Sequence, residues 1–240
     1  MVTIKFPQQN QPSPRDRAQD IAWQAMECMG GDREQAAQLC REVLEIYPDC
    51  VDALHMLADI ESQWQRDFIE GIKKAIEAGR RDLGQEFFDE NKGHFWGLME
   101  TRPFMRAMAA LAEALVDCGE YHIEKATAVH EEMLELNPND NQGIRYGLLG
   151  CYLAAKRYYD AQQLIEANDE QSTFFLWGQV LLDFATEGED KAMATLKKAR
   201  QANPYVEQYF FRGSSSRKKA RDLILREMRM KPLYVPGFSI

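Results

Sequence analysis

The chain has 240 residues, of which 45% are hydrophobic and 28% are charged, proportions typical of a soluble globular protein. Its formal net charge of −9 is uneven, since residues 212–240 carry +6 and the rest of the chain −15. No apolar run approaches the roughly 20 residues that a membrane-spanning helix needs, and the N-terminus lacks the apolar segment of a signal peptide. We therefore expect a cytoplasmic protein that spans no membrane, with an acidic body that does not bind nucleic acid.

The cysteines and histidines form no pattern typical of a metal or catalytic site. Five cysteines are scattered without a Cys-x-x-Cys pair, and the four histidines form neither a His-Glu-x-x-His motif nor a cluster with cysteine. Cys118 and His122 are four residues apart, but we expect Gly119 to end the helix between them. Because the chain also lacks a Gly-x-Ser-x-Gly motif and a glycine-rich phosphate loop, we predict a non-enzymatic protein with reduced core thiols, no metal and no cofactor.

The N-terminal part predicts an arm followed by a helical pair. Residues 1–14 contain three prolines and little periodicity, and we expect them to form a flexible arm. From Asp16 the apolar spacing is helical, with a break at Gly30-Gly31. This pair ends before Pro48, because the residue that precedes a proline disfavours helix. A helical repeat domain is accordingly predicted over residues 15–212.

Four more helical pairs follow, with one insertion. Residues 80–101 interrupt the apolar rhythm with four aromatic side chains, and we expect a short helix and a loop there. No alternating run of strand length occurs, so the fold is predicted to be all-α. The predicted pairs span residues 51–66 with 68–79, 102–118 with 123–136, 141–155 with 158–167 and 173–186 with 189–202.

The C-terminal segment, residues 213–240, is basic and amphipathic. Its spacing predicts a helix over residues 215–230 and, because of two prolines, an extended end. We expect this helix to cap the repeats, since a stack of repeats needs a terminal element with a polar outer face. Docking of the basic tail onto the acidic body of another copy is a further possibility, which would give self-association.

One pattern recurs three times, an alanine followed by two apolar or interior positions and a proline at offsets of 4, 3 and 5 residues. A second pattern, aromatic, large apolar, glycine and leucine, occurs twice in the fourth and fifth pairs. The first pattern comprises Ala36, Cys40, Val43 and Pro48, then Ala126, His130, Met133 and Pro138, then Ala192, Leu196, Ala199 and Pro204; the second comprises Tyr146, Leu149, Gly150 and Leu153, then Phe174, Trp177, Gly178 and Leu181.

These patterns resemble the tetratricopeptide repeat (TPR), a hairpin of two helices. The resemblance implies a right-handed α-solenoid of about five degenerate hairpins with a capping helix, whose first helices line a concave groove. Small residues at Gly150, Gly178, Ala126 and Ala192 would let neighbouring helices approach closely. The prolines are 90 and 66 residues apart, whereas whole repeats would give about 102 and 68, so the array is interrupted.

Residues 90–212 have a narrower resemblance, to bacterial relatives of the suppressor of tumorigenicity seven family. That family is described as tetratricopeptide-type and implies no reaction. The resemblance rests on the runs ENKGHFWGLMETRPFMRAMAALAEAL, LELNPNDNQGIRYGLLGCYL and ANPYVEQYFF.

The resemblance also implies a binding role, with a peptide or protein segment held in the concave face. Gln142, Arg145, Leu149 and Tyr152 share one side of the first helix of the fourth pair, and Asn141 precedes them. We therefore predict Arg145, Tyr152, Gln142 and Asn141 as the residues that contact the bound segment.

The insertion and the helix after it offer an alternative, a small-molecule or regulatory site for a phosphate or carboxylate. Arg102 and Arg106 lie four residues apart and hence on one helical face, where two guanidinium groups can clamp an anion. In the competing interpretation Glu100 pairs with one of these arginines, while the aromatic residues pack the insertion against the repeats. The predicted anion-binding residues are His94, Trp96, Arg102 and Arg106.

Overall fold

The computed structural model describes residues 12–168 and 171–206, and the chain divides into two compact units with the boundary after Gln142. The described residues form helices and turns and contain no β-strand, which confirms the all-α prediction. The N-terminal unit contains α1 (Pro14–Cys28), α2 (Arg33–Ile46), α3 (Val51–Glu61), α4 (Gln65–Leu83), α5 (Gln85–Asn91), α6 (Arg102–Asp117) and α7 (Ile123–Leu136), and the C-terminal unit contains α8 (Ile144–Ala154), α9 (Tyr158–Asn168), α10 (Thr173–Thr186) and α11 (Glu189–Ala202).

The helix ends follow from local side-chain chemistry. Ser13 forms a capping box with Asp16 at the start of α1, which satisfies backbone N–H groups that have no partner within the helix. Asp32 caps α2 by accepting a hydrogen bond from the Gln35 N–H at 2.9 Å. At the other end of α2 the residue before Pro48 is extended, as the sequence predicts.

The helices pack as five hairpins. In the N-terminal unit α1 packs on α2, α3 on α4 and α6 on α7, and each of the first two hairpins also packs on the first helix of the next. In the C-terminal unit α8 packs on α9 and α10 on α11, and α10 also contacts α8 and α9. The number and the order of the hairpins agree with the sequence prediction.

The hydrophobic core is rich in small residues. Ala18, Ala22 and Ala25 form the buried stripe of α1 and pack against Cys40 and Val43 of α2. All five cysteines are free thiols, and burial raises the pKa of Cys40 to about 11. This thiol therefore acts as a small apolar residue of the core rather than as a nucleophile.

Three glycines, Gly71, Gly79 and Gly178, allow close contacts between helices. Of the two glycines that were predicted to do so, only Gly178 is among them. A Cβ on Gly178 would lie 2.5 Å from Leu149 Cδ2, which confirms the close approach predicted there. In the N-terminal unit, a Cβ on Gly71 or Gly79 would come within 2.6 Å of Ala58 or 2.8 Å of Phe104. Gly150 instead faces open space, so its predicted packing role is wrong.

The second hairpin and the insertion differ from prediction in their bounds. The α3 helix ends at Glu61 and α4 begins at Gln65, because the backbone at Ser62 and Trp64 is extended. The α4 helix continues to Leu83 and ends at Gly84, whose positive φ of 75° breaks the helix. The predicted arm falls mostly on residues 1–11 and the capping helix and tail on residues 213–240, all of which lie outside the described residues.

Candidate functional site

A polar network connects the three first helices of the N-terminal unit. The Asp52 carboxylate on α3 is 3% exposed and accepts a hydrogen bond from Gln19 Nε2 on α1 at 3.1 Å. Arg106 Nη2 on α6 donates to both carboxylate oxygens of Asp52, at 2.7 and 2.9 Å. These contacts satisfy a buried charge and align α1, α3 and α6 side by side. We call the surface of these helices that carries Gln19, Asp52 and Arg106 the first-helix face.

Two large indole side chains are exposed in the N-terminal unit. Trp23 is 53% exposed and lies one helical turn after Gln19 on α1. Trp64 is 74% exposed in the turn between α3 and α4. Exposed tryptophans provide large apolar contact area and are enriched at the energetic centres of protein interfaces.

A pocket of about 350 Å³ lies between the α3–α4 turn and the C-terminal half of α6. Its lining includes the Trp64 indole and three carboxylates, on Asp59, Glu113 and Asp117, with no Lys, Arg or His. The pocket is therefore acidic, with one large aromatic wall.

The sequence prediction missed Asp52, Trp23, Trp64 and this pocket. One signal was available, because Trp23 lies off the alanine stripe of α1, one turn from the polar residues Gln19 and Glu27, where a large apolar residue does not face the core. No such signal marked Asp52, whose partner Arg106 is 54 residues away.

The residues predicted to contact a bound segment lie on both sides of the unit boundary. In the C-terminal unit, the guanidinium of Arg145 lies 5.2 Å from the centre of the Tyr146 ring. Tyr152 is 8% exposed, and the Arg157 guanidinium covers its ring at 4.7 Å. In the N-terminal unit, Gln142 Nε2 is 3.5 Å from the Met105 carbonyl oxygen, and Asn141 is exposed.

The residues predicted to bind an anion do not converge on one open site. Arg106 pairs with Asp52, whose carboxylate offsets its charge. Arg102 donates from Nε to the Trp96 carbonyl oxygen at 3.2 Å, and its guanidinium lies 5.6 Å from the centre of that indole. His94 is exposed. This geometry does not favour the anion-binding alternative.

The insertion instead packs through its aromatic residues. Phe95 is fully buried and contacts Phe88 and Phe104, with ring centres 4.8 and 6.2 Å apart. The buried Thr101 hydroxyl donates to the Phe95 carbonyl oxygen, and the Gly93 N–H donates to the Leu136 carbonyl oxygen at 3.1 Å. In the packing interpretation Glu100 pairs with Arg102 or Arg106. Arg106 pairs with Asp52 instead.

The described part of the chain contains neither a candidate metal site nor a candidate membrane span. No group of three or more His, Cys, Asp or Glu side chains within it could hold a metal ion. None of its helices combines the length and apolarity that crossing a bilayer requires.

Comparison with known proteins identifies solved structures of similar fold, but no protein family and no curated protein that match the chain. No protein-family model matches the chain, and no curated protein matches it. The narrower resemblance to the suppressor of tumorigenicity seven family therefore has no support from these comparisons.

Among solved structures, the chain is similar to YrrB, described as a TPR protein with an unusual peptide-binding site. The two share 16% identity over 89% of this chain and 92% of YrrB, with a TM-score of 0.59. PilF of Pseudomonas aeruginosa also matches, with 19% identity over 87% of this chain and 99% of PilF, but with a TM-score of only 0.38. Together with the five hairpins, the similarity to YrrB shows that the chain has a TPR-type helical repeat fold.

Proposed function

We propose that this protein is a non-enzymatic interaction module that binds a peptide or protein segment on the concave, first-helix side of its repeats. Support comes from the TPR-type fold and from the peptide-binding site that is described for the structurally similar YrrB. A hairpin repeat offers a long side of aligned first helices, on which an extended segment can contact several repeats in turn.

The observation that carries the proposal is the exposed Trp23 on the first-helix face. Its indole is 53% exposed although it lies beside a satisfied polar network of buried Asp52, half-buried Gln19 and Arg106. The network holds α1, α3 and α6 in fixed relative positions, and a rigid surface loses little entropy when it binds a partner. An exposed aromatic residue on such a surface is a suitable anchor for a bound segment.

Arg145 and Asn141 stay part of the proposal as contacting residues. The planar guanidinium of Arg145 rests on the Tyr146 ring, which restricts its orientation before a partner binds. Tyr152 is buried, so we assign it the role of supporting the Arg145 surface of the C-terminal unit, and Gln142 stays a proposed contact on the N-terminal unit.

The test is affinity capture from the source cell with the full-length protein as bait, followed by mass spectrometry. We expect Trp23→Ala and Arg145→Glu each to reduce the recovery of the partner about tenfold, since loss of an interface anchor costs more than about 1 kcal/mol. Tyr159→Ala is the matched control, because Tyr159 is 76% exposed on the second helix of its hairpin. All three variants should melt like the wild type, and equal capture by all of them would contradict the proposal.

A further inference from the structure

We propose that the partner segment bound at Trp23 is basic, and that it presents an apolar side chain flanked by Lys or Arg. This inference rests on the proposed function and deepens it, because it gives the chemistry of the partner that Trp23 anchors. The surface that supports it consists of four exposed residues of α1, which we call the α1 stripe: Asp20, Trp23, Met26 and Glu27.

The α1 stripe is an apolar patch with a carboxylate on either side of it. Asp20 and Met26 each lie three residues from Trp23, and Glu27 lies four residues after it, so these side chains adjoin on one surface of the helix. Trp23 and Met26 are 53% and 42% exposed, while three fully buried alanines form the core side of α1. A partner can therefore cover both large apolar side chains without disturbing the core.

The two carboxylates of the α1 stripe are not neutralised by the described chain. Asp20 and Glu27 form no ion pair within the described residues. Arg15 of the same helix pairs instead with Asp82 of α4 at 3.0 Å. Arg17, the other basic residue of α1, is exposed and pairs with neither carboxylate. Both carboxylates are thus available to the cations of a partner.

Two further sources of negative potential favour a cationic partner at this surface. Residues 1–142, which form the N-terminal unit, contain 14 Lys and Arg against 27 Asp and Glu, a net charge of −13. A field of this sign attracts basic segments from a distance and speeds their association. In addition, Glu27 lies in the last turn of α1, where the helix dipole favours cations and where no basic residue is present.

The spacing of the carboxylates predicts the spacing of the basic residues that they bind. Asp20 and Glu27 are seven residues apart, which corresponds to about 10 Å along the axis of α1. An extended segment covers this distance in about three residues. Two Lys or Arg residues three positions apart can therefore reach both carboxylates, while an apolar residue between them packs on Trp23. The aliphatic stems of Lys and Arg also suit the apolar patch, and a cation close to an indole gains a cation–π interaction.

Fluorescence anisotropy with labelled synthetic peptides and the full-length protein tests this inference. The three probes have equal length and repeat one leucine with two lysines, with two glutamines or with two glutamates. We expect the lysine peptide to bind at least about tenfold more tightly than the glutamine peptide at low salt, and the glutamate peptide to bind most weakly. Raising the salt to about 0.5 M should remove most of the difference between the lysine and glutamine peptides.

Two double variants with the same change in net charge separate the α1 stripe from the overall field of the protein. Asp20→Asn/Glu27→Gln should weaken the binding of the lysine peptide about threefold to tenfold, because two exposed ion pairs are lost. The control, Glu42→Gln/Glu45→Gln, removes two exposed carboxylates from the second helix α2 and should bind the lysine peptide nearly as the wild type does.

Equal affinities of the two double variants for the lysine peptide would overturn the inference, because the attraction would then come from the net charge alone. A lysine peptide that binds no more tightly than the glutamine peptide, or that does not bind, would overturn it as well. The proposed function fails on a different result, which is a captured partner whose recovery does not depend on Trp23. A captured partner that depends on Trp23 leaves the proposed function intact whichever peptide binds best.

Discussion

The polar network between the first helices predicts a large and specific loss of stability when Arg106 is replaced by methionine. The replacement keeps an unbranched aliphatic side chain but removes the guanidinium, which leaves Gln19 on α1 as the remaining interhelical donor to the Asp52 carboxylate, 3% exposed. Removing one partner of a fully buried ion pair costs about 3–5 kcal/mol. The Arg106 side chain is 39% exposed, so water can reach part of the site, and we expect a loss of about 2 kcal/mol.

Urea denaturation and thermal melting measure this loss. For a chain of this size, 2 kcal/mol corresponds to a fall in Tm of about 4–8 °C. A double-mutant cycle with Asp52→Asn isolates the contact, and we expect a coupling energy of about 1 kcal/mol or more. Arg102→Met, one turn earlier on α6, is the matched control and should cost about 1 kcal/mol, since it loses a cation–π contact with Trp96 and a hydrogen bond to its carbonyl oxygen but leaves no buried charge. A loss below about 0.5 kcal/mol for Arg106→Met, or additive effects in the cycle, would refute the reasoning.

Two further predictions concern stability and its dependence on pH. Burial lowers the pKa of His130 from its ordinary 6.5 to about 4, so between pH 4 and 6.5 the imidazole is protonated in the unfolded chain only. The free energy of unfolding should therefore be highest above pH 6.5 and fall by up to about 3 kcal/mol as the pH is lowered to 4. His130→Phe should flatten this slope in urea titrations at several pH values, and an unchanged slope would contradict the assignment. Gly178→Ala should destabilise the protein by about 1–3 kcal/mol, because the new Cβ meets Leu149. Gly150→Ala should stabilise it by about 0.5–1 kcal/mol, because the new Cβ meets no neighbouring atom. Thermal melts in which both variants shift the Tm in the same direction would contradict this packing.

The hairpins could be predicted from the sequence because their signals are local. Helical periodicity identified each pair, and a proline such as Pro48 marks a helix end through steric effects on its neighbour. The turn at Ser62–Trp64 was misplaced because Trp64 continues the apolar pattern although its side chain is exposed. A large apolar residue gives the same signal in the core and at a binding surface, so periodicity alone cannot separate the two.

The role of each small or charged residue was harder to predict, because it depends on contacts between distant parts of the chain. Gly150 and Gly178 occupy equivalent positions in the repeat pattern, yet only Gly178 meets a neighbouring helix closely. Likewise Arg102 and Arg106 share a face of α6, but Arg106 finds the buried Asp52, 54 residues earlier. The sequence specifies which residues share a helical face, and the packing of the hairpins decides what that face meets.

The affinity of the captured partner for three proteins tests the central claim most directly. The wild type, Trp23→Ala and Tyr159→Ala differ in one exposed aromatic residue, on a first helix in one variant and on a second helix in the other. The account predicts that Trp23→Ala raises the Kd about tenfold, with Tyr159→Ala equal to the wild type. A partner that binds Trp23→Ala as tightly as the wild type, but loses affinity for Tyr159→Ala, would contradict binding on the first-helix face.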